Sequence, residues 1–321
     1  LLTMSALAVG CATDPRVTEI AQEYYNLGNA YFELGEYERS YEYYTRAQEL
    51  DHTITASSYN LARLELERGN VERAIELLEE MRRSEPENLL VMETLAYTHN
   101  QNGNSARAQE IYRQILEKDP GRVSALYNLS ILVEDPEETI SLLERAQRIA
   151  PQDEDVLRRA ITVLTEEERP EEAVVYLERL RRLVSEERES LERIATQYQD
   201  LAYPQEAVET YDILLDLAPD EESYHFSQAQ LLLTTIGDES RGLMALENAL
   251  DGGFSDEDAI RSLLLSDDLV APVEVEALLE DRGMLPEDLP EPGGEEAGDV
   301  GSESDETEVD ESAAEGASRA P

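Results

Sequence analysis

The sequence predicts an all-α chain of repeated helical hairpins, and three observations carry that expectation. Landmark residues recur: Pro86 and Pro120 lie 34 positions apart, and His52 stands in the equivalent place one period earlier. Within a period the apolar residues return at intervals of three and four, as Tyr24, Leu27 and Tyr31 do, which is the pattern of an amphipathic helix rather than a strand. With 321 residues the chain is long for one compact core, a limit that a repeat array escapes because each unit packs only on its neighbours.

The first unit, 21–54, predicts one helix near 18–34 and a second near 37–50, with Gly35 punctuating the turn. Small residues, Gly28 and Ser40, let its two helices approach closely. The second unit, 55–88, keeps Leu61-Ala62, Gly69, Ala74, Leu78 and Met81 but places Glu65 where an aromatic is expected, a gap that Leu64 and Leu66 are expected to cover. The third, 89–122, is more regular, with Leu95-Ala96, Gly103, Tyr112 and Ile115. Because Pro120 and Pro151 are only 31 apart, the fourth unit is three residues short, and Glu134-Asp135-Pro136 is expected to absorb the deletion. Units five (154–187) and six (188–221) return to the full period. A weaker seventh ends at Gly252-Gly253-Phe254, where the stack is expected to change register. Two short helical patterns, near 256–265 and 272–280, are expected to cap the exposed end of the stack. From 286 onward Pro, Gly, Ser, Glu and Asp dominate, a composition that cannot offset the entropy of ordering.

The order of large residue, Leu-small, aromatic, Gly, small, aromatic, small and Pro over 34 residues resembles the tetratricopeptide repeat. That resemblance implies a right-handed α-α superhelix of about seven helix-turn-helix units. The chain then divides into a leader and linker (1–16), the solenoid (17–255), capping helices (256–285) and an acidic tail (286–321). It also implies a concave groove lined by the first helix of each unit, with a partner protein held there as an extended segment or a helix.

Three units share a triplet before the small residue: Tyr25-Asn26-Leu27, Tyr59-Asn60-Leu61 and Tyr127-Asn128-Leu129. Leu is expected in the core, and Tyr and Asn in the groove, where an amide both donates to and accepts from a peptide backbone. The alternative is that the Asn side chains bond neighbouring helices and the Tyr rings pack between units. Asn29 and Asn60 also match the asparagines of the carboxylate clamp found in chaperone-binding members of the family. Tyr25, Leu90 and Thr94 stand where that clamp has basic residues, so a C-terminal carboxylate is not assigned despite Arg63 nearby. Further along, Arg158, Arg159 and Arg193 fall at groove-facing places, either as a positive patch for an anionic partner or paired with Glu154, Glu189 and Glu192.

Acidic residues outnumber basic ones 73 to 26, for a net charge of −47, and Lys118 is the only lysine. Nucleic acid is therefore excluded as an expected partner. Such a surface fits either a saline habitat, where counterions screen self-repulsion, or a genome biased towards arginine.

Cys11 is the only cysteine, which excludes an internal disulfide. The ten apolar or small residues directly before it resemble the end of a bacterial lipoprotein signal peptide, in the looser spirochaete-like form with Leu7 four places ahead of the cysteine. The resemblance implies lipidation of Cys11 and a place in the cell envelope, with the membrane met only through that anchor. A helix turn with a chance cysteine is the alternative.

No residue pattern supports catalysis, a cofactor or a metal: His52, His99 and His225 fall at unrelated repeat positions, and no phosphate-cradling loop, HExxH or GxSxG occurs. The expectation is a non-enzymatic, lipid-anchored scaffold for another protein. Two others stand beside it: an accessory lipoprotein of a tripartite-transporter-like uptake system with a ligand pocket in the solenoid, and a structural protein that self-associates through an unfinished end of the stack.

Overall fold

The computed structural model describes residues 14–286. The leader with Cys11 and the acidic tail beyond Pro286 lie outside the described residues. Seven antiparallel helix pairs follow in chain order: α1 (Pro15–Glu33) with α2 (Tyr37–Leu50), α3 (Thr55–Glu67) with α4 (Val71–Ser84), and α5 (Leu89–Gln101) with α6 (Ser105–Lys118). Next come α7 (Val123–Leu132) with α8 (Pro136–Ile149), α9 (Glu154–Glu166) with α10 (Pro170–Leu183), and α11 (Arg188–Asp200) with α12 (Pro204–Leu217). The seventh pair is α13 (Glu222–Leu231), prolonged by a π-helical turn over Leu232–Ile236, with α14 (Glu239–Gly252). Two short helices, α15 (Glu257–Leu264) and α16 (Pro272–Asp281), complete an all-helical solenoid.

Local chemistry sets the helix boundaries. Asp14, Asn88 and Asp153 accept a hydrogen bond from a first-turn backbone N–H of α1, α5 and α9. Proline opens α1, α8, α10, α12 and α16, where the missing N–H costs nothing. The turn inside each of the first three pairs needs a left-handed residue, supplied by Gly35 (φ 71°), Gly69 (φ 78°) and Gly103 (φ 74°). Units five and six put Glu168 (φ 55°) and Ala202 (φ 63°) at that place, and Pro170 and Pro204 two residues on start the next helix. In unit four α7 is only ten residues long, and the deletion falls at Glu134-Asp135-Pro136 as the spacing predicts, with Asp135 capping α8.

From unit two onward the core forms two apolar clusters between paired and neighbouring helices. One apolar cluster runs from Ala62 to Ala173 and a second from Leu157 to Leu279, so they overlap in unit five. Close approach depends on small residues: a Cβ on Gly28 would come within 2.5 Å of the Tyr44 ring, while the Ser40 hydroxyl donates to Gly28 O at 2.9 Å. At the C-terminal end Phe254 stacks on Phe226 (centroids 4.0 Å apart), and α16 buries Val275 and Leu279 completely. That end of the stack is closed, as a solenoid requires.

Two core expectations are corrected. Leu61 and Leu129 are buried, but Leu27 is 43% exposed, because no helix precedes α1 among the described residues to cover it. Glu65 is not displaced by its neighbours. It is itself buried at 4% exposure, its carboxylate accepting from Asn70 Nδ2 at 2.7 Å with the Arg68 guanidinium 3.8 Å away. Leu64 is core, whereas Leu66 turns to the groove.

Candidate functional site: a depression on the face formed by α3, α5 and α7

The 34-residue period places side chains from successive first helices in register, and in units two to four that register builds a depression of about 530 Å³. Its floor is polar and internally tied. Glu93 on α5 accepts from Arg122 Nε at 2.9 Å and Nη2 at 2.8 Å, and also from the Ser124 hydroxyl of α7. Burial alone would raise the Glu93 pKa, but those hydrogen bonds and the Arg122 charge overcome it and hold the carboxyl below its ordinary value. The Tyr59 hydroxyl donates to Thr94 Oγ1 at 3.0 Å, since the threonine spends its own proton on Leu90 O.

The walls are different in kind. Leu90 is 50% exposed and Tyr97 is 49% exposed, and both line the depression. Arg63 lies over the Phe32 ring at 5.0 Å and makes no ion pair among the described residues. Asn128 donates to Ser124 O at 2.8 Å, which leaves its amide oxygen available. The site therefore offers two apolar platforms, one cation without a carboxylate partner and one amide acceptor within a single concavity. Such a set suits a chain segment with alternating apolar and polar groups.

Of the residues singled out in the sequence, Tyr59, Arg63 and Asn128 meet here. Asn60 does something else: its amide donates to Asn29 Oδ1 (2.9 Å), the Tyr44 hydroxyl (3.2 Å) and the Tyr25 hydroxyl (3.4 Å). Asn29 Oδ1 also accepts from Tyr44 at 2.7 Å, and the Tyr25 and Tyr44 rings lie 5.9 Å apart. These four side chains form a polar knot that joins units one and two. Asn60→Ala is accordingly expected to lower unfolding free energy by about 1 kcal/mol, measured by denaturant titration, before any effect on binding is counted. Asn26 is exposed and accepts from Gln22 at 3.2 Å, while Tyr127 is half-buried at the edge of the core with its pKa raised by burial.

The arginines of units five and six are mostly committed. Arg158 pairs with Glu154 at 2.6 Å and donates to Ser190 at 3.1 Å; Arg193 pairs with Glu189 at 2.9 Å. Only Arg159 of the three makes no ion pair among the described residues, and its Nε is buried without a hydrogen-bond partner there. Leu90 and Thr94, placed by the sequence at clamp positions, do line the depression, whereas Tyr97 and Glu93 were not singled out. The signal was present, since Tyr97 follows Arg63 by one period and Ser124 follows Leu90 by one period.

Comparison with known proteins agrees with this architecture. Residues 21–54 and 65–130 each match the tetratricopeptide repeat. A tetratricopeptide repeat protein from Parabacteroides merdae superposes with a TM-score of 0.50 at 13% identity, covering 77% of this chain and 99% of its own. The pilF protein of Pseudomonas aeruginosa gives a TM-score of 0.51 at 18% identity, covering 67% of this chain and 99% of its own. At such identities the likeness is one of fold. No curated protein matches the chain.

Proposed function

We propose that this chain, with tetratricopeptide repeats over 21–54 and 65–130, is a non-enzymatic scaffold that holds an extended segment or helix of another protein in the depression between α3, α5 and α7. Proteins with these repeats generally serve as interaction scaffolds, which supports the reading at the level of class. The observation that carries it is the pair of half-exposed apolar side chains, Leu90 and Tyr97, standing uncovered beside Arg63. Apolar groups in a concavity with a few convergent polar groups are where partners gain most from desolvation. The test is capture from the native host followed by mass spectrometry. Leu90→Glu with Tyr97→Ala is expected to lower recovery of the principal partner by about tenfold or more with helicity unchanged, because both side chains are half-exposed. Equal recovery would remove the depression from the reading.

The scaffold is further proposed to sit in a bacterial envelope, tethered by lipid on Cys11. The apolar run abutting the only cysteine supports this, and none of the described helices is long and apolar enough to cross a membrane. With the natural leader in place, Cys11→Ser is expected to move the protein from the membrane fraction to the soluble fraction, read by fractionation and immunoblot. A second reading, accessory to solute uptake, draws on Arg63, Tyr59, Tyr97 and Tyr112 all lining the depression. Native mass spectrometry decides it: a small acid retained by the wild type and lost in Arg63→Ala favours uptake over peptide holding.

A further inference from the structure

Among the described residues the stack is covered at its C-terminal end and uncovered at its N-terminal end. At the C-terminal end α16 covers α14, with Val275 and Leu279 fully buried. At the N-terminal end α1 and its C-cap residue present Ile20 (47% exposed), Leu27 (43%) and Leu34 (71%) to solvent. The residues one or more repeats later in the register of Leu27 are Leu61, Leu95, Leu129, Ala160 and Ile194, all at 4% exposure or less. What buries them is the second helix of the preceding unit, and α1 has none among the described residues.

We propose that a second copy of this chain covers that face, α1 against α1 in antiparallel, two-fold symmetric contact. Ile20, Leu27 and Leu34 are spaced by seven residues and centred on Leu27. A two-fold axis at Leu27 therefore sets each Ile20 against the second copy's Leu34 and Leu27 against its own equivalent, the self-complementarity that an isologous contact needs. The seam is extended by Tyr24 and Tyr31, both stacked on Tyr43 at 6.0 and 5.2 Å, and the resulting four-three alternation is that of a helix packing on a helix.

Charge selects both the antiparallel sense and the occupant. The first turn of α1 holds no acid and carries the exposed Arg16, which has no ion pair among the described residues. The last turn holds no base and leads through exposed Glu33 and Glu36. Antiparallel pairing brings Arg16 of one copy to the acidic end of the other and opposes the helix dipoles. The chain's own leader, 1–10, has no charged residue to answer Arg16. A helix of 19 residues is about 28 Å long, so its footprint is on the order of 300 Å² per copy, against about 800 Å² per partner in a standard interface. The pair is thus a weak one, populated at high local concentration such as two anchored copies would share on one membrane. It is independent of what the depression holds.

Disulfide trapping in the full chain tests it, with Cys11→Ser removing the native thiol. Leu27→Cys is expected to form a covalent dimer at least about tenfold faster than Gln22→Cys, which is exposed on the same helix away from the seam. A mixture of Ile20→Cys chains with Leu34→Cys chains should cross-link, while each alone should not. Leu27→Glu should abolish concentration-dependent sedimentation and leave the unfolding transition unmoved. Equal rates for Leu27→Cys and Gln22→Cys overturn the proposal, as does Ile20→Cys linking to itself. So does a monomeric disulfide between Leu7→Cys and Leu27→Cys, which would show the leader to be the covering segment.

Discussion

Arg122→Ala is expected to destabilise the solenoid more than Glu93→Ala does, although the two substitutions break the same bidentate pair. The Glu93 side chain is 15% exposed and sits under the depression, whereas that of Arg122 is 38% exposed at the start of α7. Removing the arginine strands a carboxylate largely out of water, with the Ser124 hydroxyl as its remaining partner at that oxygen. Removing the glutamate leaves a guanidinium that solvent already reaches. A loss of about 2–3 kcal/mol is expected for Arg122→Ala and about 1 kcal/mol for Glu93→Ala, by denaturant unfolding at neutral pH. Equal losses would mean that the pair acts as an exposed ion pair. The pair also spans units three and four, so its loss should weaken the junction beneath the candidate site before it affects the ends of the array.

The same pair has a pH signature. The folded Glu93 pKa is depressed, so its contribution is present in full above the unfolded carboxyl value and is lost as pH falls through the folded one. Stability referenced to Glu93→Gln should therefore begin to converge with wild type as pH falls below the unfolded carboxyl value of about 4.3 and finish doing so once the lower folded value is passed.

Much of the architecture was legible in the sequence because the determinants are local. Proline spacing together with the apolar period located the first six units, the shortfall between Pro120 and Pro151 located the short unit four, and apolar periodicity located α15 and α16 within one or two residues. What escaped depends on position within the stack rather than on pattern. Leu27 carries the same local signature as Leu61 and differs in having no preceding helix among the described residues. Asn60 and Asn128 share a triplet and a register, yet one is consumed by Asn29 and Tyr44 of the previous unit while the other faces the depression. The difference lies in the neighbour. Unit one offers Asn60 an amide oxygen and two hydroxyls, whereas the corresponding residues one unit before Asn128 are Tyr97 and Tyr112, which present no amide. Tyr97 was passed over because an exposed apolar residue in a single sequence cannot be told from a core one by periodicity alone.

The largest pH effect near neutrality is expected from His99, a residue the functional reading does not use. It occupies the register that holds Tyr31 and Tyr198 in other units, is 9% exposed, and neither ring nitrogen has a hydrogen-bond partner among the described residues. Burial, followed by the charge of Arg107 on α6, pushes its pKa below the ordinary histidine value. Glu79 on α4 opposes the shift and Arg82 on the same helix adds to it. Because the folded value is the lower one, the unfolded chain binds the proton first. Stability is complete above about pH 7 and falls as pH drops below the unfolded value near 6.5, until the folded value is reached. Replacing the ring with a side chain that needs no hydrogen bond removes both the unmade bonds and the titration. His99→Leu is expected to raise the unfolding free energy by about 1–2 kcal/mol and to flatten its pH dependence between pH 5 and 7, followed by chemical denaturation across that range. A variant that is less stable than wild type at pH 7, or that keeps the same slope below pH 6.5, would show that the imidazole is satisfied in solution and that Glu79, not burial, governs its proton.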